Sequence, residues 1–491
     1  MHPTLIRNQY LVFIILFFSG LAMAQKPVSI TFGADPVFNG SMSLLQEDVA
    51  FNPNLGVGLT ESQLSPIASL QLGMAHEKSV DAPISEAKMF RLRFNSNGIN
   101  KTWMLFMQPG DQLKAVVGAD NEIKFSGENA FYQEFLKSYF LENQYQYLPV
   151  FGYKPDLIDN QMVLAQSDSL TQLRLQALAA FKAKNKVVPS FETYVKATTM
   201  AEPLVLSRLI QERIMRKNRV KRLEPEQQQL LEEYTLATFV LMPDAALLSQ
   251  SYRNELRNWM LIPTLQKYPL NNDSRYETSP EALKEVYRNA EVKMVDHPKQ
   301  KEYLLTYWLN YAVSSIPTLE PAKELLAKYA TQYPSSDNTA YLTKQVQTKG
   351  KMVPGAVVPD LELLKLDGSK IKLSALKNKP LVLVFAYSIG QHEPDLKKME
   401  EKYLGKVQFA YITVISGMNL ATLNKYLKDR PNAIHLMATE EDRQFLEANF
   451  AIGIRYPYMV IGADSLIVER WIPQVFPANA ALESAIEKSL K

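Results

Sequence analysis

Residues 381–403, LVLVFAYSIGQHEPDLKKMEEKY, run from an apolar stretch through a short polar turn into a charged stretch with helical spacing. Leu381 to Ala386 is apolar without interruption, as in a strand buried on both faces. Ser388, Ile389, Gly390, Gln391 and His392 form the turn. Glu393 and Pro394 follow, an acidic residue and a first-turn proline that both suit a helix N-terminus. A buried strand feeding a helix is the repeating unit of an α/β sheet, so this junction sets the class of its surroundings.

The rhythm continues on both sides. VQFAYITVI, AIHLMA, YMVIG and LIVERW read as further strands, with helices from about Pro394, Leu420, Glu440 and Ala478. Residues 351–491 are therefore expected to form an α/β domain around a mostly parallel sheet. Upstream, TKGKMVPGAVVPDL carries Gly350, Pro354, Gly355 and Pro359 and reads as a linker. Residues 128–345 have helical texture: Phe131, Phe135 and Tyr139 share a face, and Tyr303, Tyr307 and Tyr311 fall at i, i+4 and i+8 beside Trp308. Helix-on-helix packing accounts for these aromatics without a ligand. Residues 27–127 are β-rich, with VSITFGA, AKMFRLRFN, TWMLFMQ, QLKAVVGA and EIKFSG as strands and QPGDQ as a tight turn. The expected architecture is multidomain α+β: a β-sandwich-like N-terminal domain, a helical middle region and a C-terminal α/β domain.

Composition narrows function further. A net charge of +3 over 491 residues gives no electrostatic case for nucleic acid. The basic run RIMRKNRVKR, residues 213–222, reads as the cationic end of one helix before the acidic start of the next. Residues 1–24 combine Arg7, an apolar core from Tyr10 to Leu21 and Ala22-Met23-Ala24, the pattern of a signal peptide cleaved before Gln25. The mature chain is then expected outside the cytoplasm, periplasmic or secreted, with no membrane span. There is no cysteine anywhere. Disulfides, thiol redox catalysis, cysteine nucleophiles and thiolate metal ligands are thus excluded from within the chain.

The C-terminal region resembles the thioredoxin-like domains of exported TlpA/ResA-type thiol–disulfide oxidoreductases, relatives of the alkyl-hydroperoxide-reductase (AhpC/TSA) group. Pro359, Asp360, Asp367, Gly368, Leu373, Ser374 and Leu376 hold the positions of the family's leading segment, and EPDLKKMEEKY resembles the helix after its active site. FAIGIRYPYMVIGADSLIVERW resembles the segment with the family's cis proline, matched by Pro457. Asp464 matches its hairpin, while Leu466 and Ile467 replace the usual glycine. FMQPGDQLKAV followed by IKFSGENAFYQEFL resembles the β and helical regions that precede such a domain in some exported proteins. The departure is at the opening stretch, where the family's W-C-x-x-C is absent. Only residues 386–393 separate Phe385 from Pro394, about four residues fewer than the resemblance implies. The active-site turn looks removed rather than substituted.

No other chemistry has a motif. Ser388 lies in no G-x-S-x-G, His2, His76, His297, His392 and His435 are scattered, and no H-E-x-x-H, P-loop or G-x-G-x-x-G occurs. No catalytic residue, metal ligand or cofactor is therefore assigned. The resemblance implies a groove where an extended peptide could lie against the residue before the proline. The candidate binding residues are Ser388, Gln391, His392, Tyr456 and Pro457. A redox-inactive module that binds a protein or peptide partner in the cell envelope is the first expectation. An enzyme of a non-thiol class, such as a hydrolase with its site between domains, is the alternative.

Overall fold

The computed structural model describes residues 26–46, 67–96, 98–139, 160–217, 224–268, 279–376, 378–386, 393–414, 433–439, 456–472 and 480–491, with isolated positions between 442 and 450. The chain divides into two compact units, Met1–Val49 with Leu59–Ile262, and Ala50–Gly58 with Pro263–Lys491. Among the described residues it is a mixed α+β protein of eleven α-helices and three sheets.

The first unit opens with eight strands: β1 (Val28–Ala34), β2 (Gly40–Gln46), β3 (Ala68–Leu72), β4 (Glu77–Ala82), β5 (Lys88–Ser96), β6 (Ile99–Met107), β7 (Gln112–Val117) and β8 (Ile123–Ser126). They form two four-stranded sheets, β4-β1-β7-β8 and β3-β2-β5-β6. Alternate residues of both sheets, Ile30 and Phe32 with Phe90, Leu92 and Phe94 among them, share one hydrophobic core. The turn between β6 and β7 has Gly110 at φ 89° after Pro109, and Asp111 N–H donates to Gln108 O at 3.0 Å. A left-handed third position is why glycine stands there.

Five helices follow: α1 (Ala130–Tyr139), α2 (Asn160–Lys184), α3 (Pro189–Lys217), α4 (Pro225–Thr238) and α5 (Gln250–Lys267), with a 3₁₀ turn at Asp244–Leu248. Met89 and Phe106, on the outer face of the second sheet, pack with Tyr132, Phe135, Leu178 and Phe191 from α1, α2 and α3. The edge strand β6 is closed by Gln133 of α1. Its side-chain amide donates to Phe106 O at 2.6 Å, and its oxygen accepts from Phe106 N–H at 2.9 Å. A helix-borne amide thus does what a further strand would do, and an edge that could recruit another chain is blunted.

The second unit takes in the end of α5 from Pro263 and continues with α6 (Pro280–Lys293), α7 (Pro298–Ser315), α8 (Glu320–Gln332) and α9 (Asp337–Lys351). Tyr303, Tyr307, Trp308 and Tyr311 are all buried on α7, where they serve as helix packing. The stretch read as a linker is helical through Lys351. Thr348 and Lys349 are buried, so tertiary packing overrides the helix-weakening Gly350.

Beyond it lie β9 (Glu362–Lys365), β10 (Lys370–Lys372), β11 (Leu381–Ala386), α10 (Glu393–Lys402), β12 (Gln408–Val414), β13 (Ala433–Ala438), β14 (Tyr458–Ile461), β15 (Ile467–Ile472) and α11 (Ala480–Ser489). They build a seven-stranded sheet of order β10-β9-β13-β12-β11-β14-β15. β11, β12 and β13 run parallel, and β14 lies antiparallel beside β11. Leu381, Leu383 and Phe385 feed the core on one face, Val382 and Val384 the core on the other. That two-sided burial explains the uninterrupted apolar run.

Candidate functional site

The candidate site sits at the ends of β11 and β14. Ser388, Gln391 and His392 lie outside the described residues. Tyr456 and Pro457 lie within them, and both are buried. Pro457 O accepts from Phe385 N–H at 2.8 Å, which ties the last turn of β11 to the segment leading into β14.

Arg470 organises this corner. The β14–β15 pairing slips on both sides of Val460, so that β15 carries one extra residue between Glu469 and Ile472 and another between Ile467 and Glu469. A bulge of this kind re-aims side chains. Arg470 is 0% exposed. Its Nη1 donates to Tyr456 O at 2.6 Å and Tyr458 O at 3.3 Å, and its Nε donates to Phe450 O at 3.0 Å. The guanidinium lies 5.1 Å from the Phe385 ring centre and 5.2 Å from that of Trp471. Backbone carbonyls and aromatic faces thus replace the water it gives up.

The opposite wall comes from the helices of the same unit. α7 ends where Ile316 turns extended ahead of Pro317, leaving its last carbonyls without intrahelical partners. Tyr456 Oη donates to Ser315 O at 2.6 Å. Lys349 Nζ, reaching from α9, donates to Ala312 O at 3.2 Å, Val313 O at 2.8 Å and also Ile316 O. The ammonium sits 4.5 Å from the Trp471 ring centre, and Trp471 meets Tyr456 edge-on with centres 5.6 Å apart. A cation at a helix C-terminus suits the dipole. Burial, and after it the nearby Arg470 charge, pull the Lys349 pKa down to about 7.

No family model matches the chain, and no curated protein does. Solved structures do. One is a protein from Bacteroides vulgatus described as a thiol-disulfide oxidoreductase, 22% identical, covering 28% of this chain and 99% of its own, with a TM-score of 0.24. A second is a thiol:disulfide interchange protein from a Bacteroides species, 16% identical over 28% of this chain and 91% of its own, at 0.24. A third is a thioredoxin-family thiol:disulfide interchange protein from Chlorobium tepidum, 19% identical over 28% and 98%, at 0.22. The chain is similar to these in fold alone and over a minor part of its length. The cysteine count of zero separates it from their named chemistry.

The chemistry of the corner follows from its atoms. Arg470 and Trp471 carry no nucleophile, the Lys349 amine is 1% exposed and turned onto three carbonyls, and among the described residues no cluster of histidines and carboxylates could hold a metal ion. The Tyr456 carbonyl, the acceptor an added peptide strand would use, already takes a hydrogen bond from Arg470. Arg470, Lys349 and Ser315 are absent from the sequence-based candidates. The only hint was VERW, two charges inside an otherwise apolar strand pattern.

Proposed function

We propose that this is an exported protein whose thioredoxin-like C-terminal part has lost thiol chemistry and acts by binding a protein or peptide partner of the cell envelope. The observation that carries the reading is a sheet of this topology in a chain without one cysteine, its active-site corner filled by an arginine, a lysine and a tryptophan. A β domain and a helical region precede it in the proposed layout, with residues 1–24 as the cleaved export signal. The partner is recognised by Ser388, Gln391 and His392 together with Tyr456 and Pro457, the last of which ties β11 to the segment before β14.

Photo-crosslinked capture from native envelopes tests this, comparing the mature protein with the triple variant S388A/Q391A/H392A. A specific crosslinked partner is expected with the parent and at least a tenfold loss with the variant, the loss of about 1.4 kcal/mol of contact. Equal recovery by both proteins would remove these three residues from the binding surface.

A further inference from the structure

The end of α7 occupies ground that a binding partner would need. Ser315 O takes the Tyr456 hydroxyl, and the carbonyls of Ala312, Val313 and Ile316 are gathered by a lysine that lies on Trp471. All of these groups belong to the second unit. Helix end and sheet corner are therefore joined by one direct hydrogen bond and by Lys349 of α9, which gives three hydrogen bonds to the helix end, lies on Trp471 and is 1% exposed. We propose that the last turn of α7 is a built-in cover over the Tyr456–Pro457 corner, and that Lys349 makes its closure strengthen as the pH rises above neutrality.

The reason is linkage. Lifting the cover exposes Nζ to water, where an ammonium is comfortable up to its ordinary range. Closing it buries the same group, where the proton is held less well. The open state therefore binds more protons than the closed one between about pH 7 and about pH 10, and within that window closure strengthens as pH rises. Below about pH 7 the ammonium is protonated in both states, and closure is at its weakest and constant. The groups facing Lys349 do not reverse this sign. β15 presents Arg470, which keeps its charge throughout, and α7 presents carbonyls. The loop before β14 presents the Tyr456 hydroxyl, engaged by Ser315.

The meaning of the cover rests on the proposed docking reading, but its existence does not. Hydrogen exchange of the helical amides at 312–315, the last turn of α7, corrected for intrinsic rates, measures opening directly in the full-length protein without any partner. Between pH 6.5 and 8.5 the protection is expected to rise about 20-fold in the parent protein. It should change less than about twofold in Lys349→Arg, which keeps charge and donors but does not titrate in that range. Lys349→Met should likewise lose the slope. If that variant fails to fold, Lys349→Arg alone decides. A flat profile in the parent, or an undiminished slope in Lys349→Arg, would overturn the proposal. A steep profile with no crosslinked partner in the capture experiment would keep the cover and remove the docking reading.

Discussion

Replacing Arg470 by methionine is expected to lower the stability of the second unit by about 3–5 kcal/mol, which urea denaturation followed by tryptophan fluorescence would measure. Methionine roughly preserves the buried volume, so the loss isolates the hydrogen bonds. Exchanging a buried ion pair for apolar residues is often harmless, because both charged partners leave together. Here the partners are the backbone carbonyls of Phe450, Tyr456 and Tyr458, and no substitution removes them. They stay buried and lose the donor that satisfied them, at about 1–3 kcal/mol for each group left stranded. A change below about 1 kcal/mol would mean that water reaches these carbonyls and that the corner is not closed.

The second large effect lies in the first unit. Arg208 on α3 donates through Nε to Glu255 of α5 at 3.1 Å and pairs with it through Nη2, and the Glu255 side chain is only 1% exposed. Arg208→Leu leaves that carboxylate buried without its cation, a change that costs about 3–5 kcal/mol. Chemical denaturation of parent and variant checks the size. A loss below about 1 kcal/mol would show that Glu255 is not left uncompensated.

What could be read from the chain depended on how local its cause was. The run 381–386 announces a doubly buried strand because burial on both faces leaves its mark on every residue. Pro109-Gly110 announces a turn because φ is fixed at one residue and freed at the next. Glu393-Pro394 marks the start of α10 for a similar reason. β4 was not anticipated. It is a sheet edge with mostly exposed residues, and EKSVDA therefore shows almost no hydrophobic alternation. Gly350 suggested a linker beginning at Thr348, but α9 runs on to Lys351 and stops one residue past that glycine.

The candidate site was legible only in outline. Pro457 and its tyrosine neighbour could be placed beside the first central strand by resemblance. What closes the corner could not, since Tyr456 meets Ser315 across 141 positions and Lys349 meets Val313 across 36. A single buried cation leaves no periodic trace. Its meaning comes from carbonyls exposed where a helix stops, which only the folded chain brings within reach.

The proposed function has a thioredoxin-like sheet acting without sulfur chemistry. Turnover of insulin disulfides by the purified, metal-free mature protein, driven by limiting dithiothreitol, tests it most directly. The account predicts precipitation of the insulin B chain at the rate of the protein-free blank, at every protein concentration. Acceleration over the blank in proportion to added protein would contradict it.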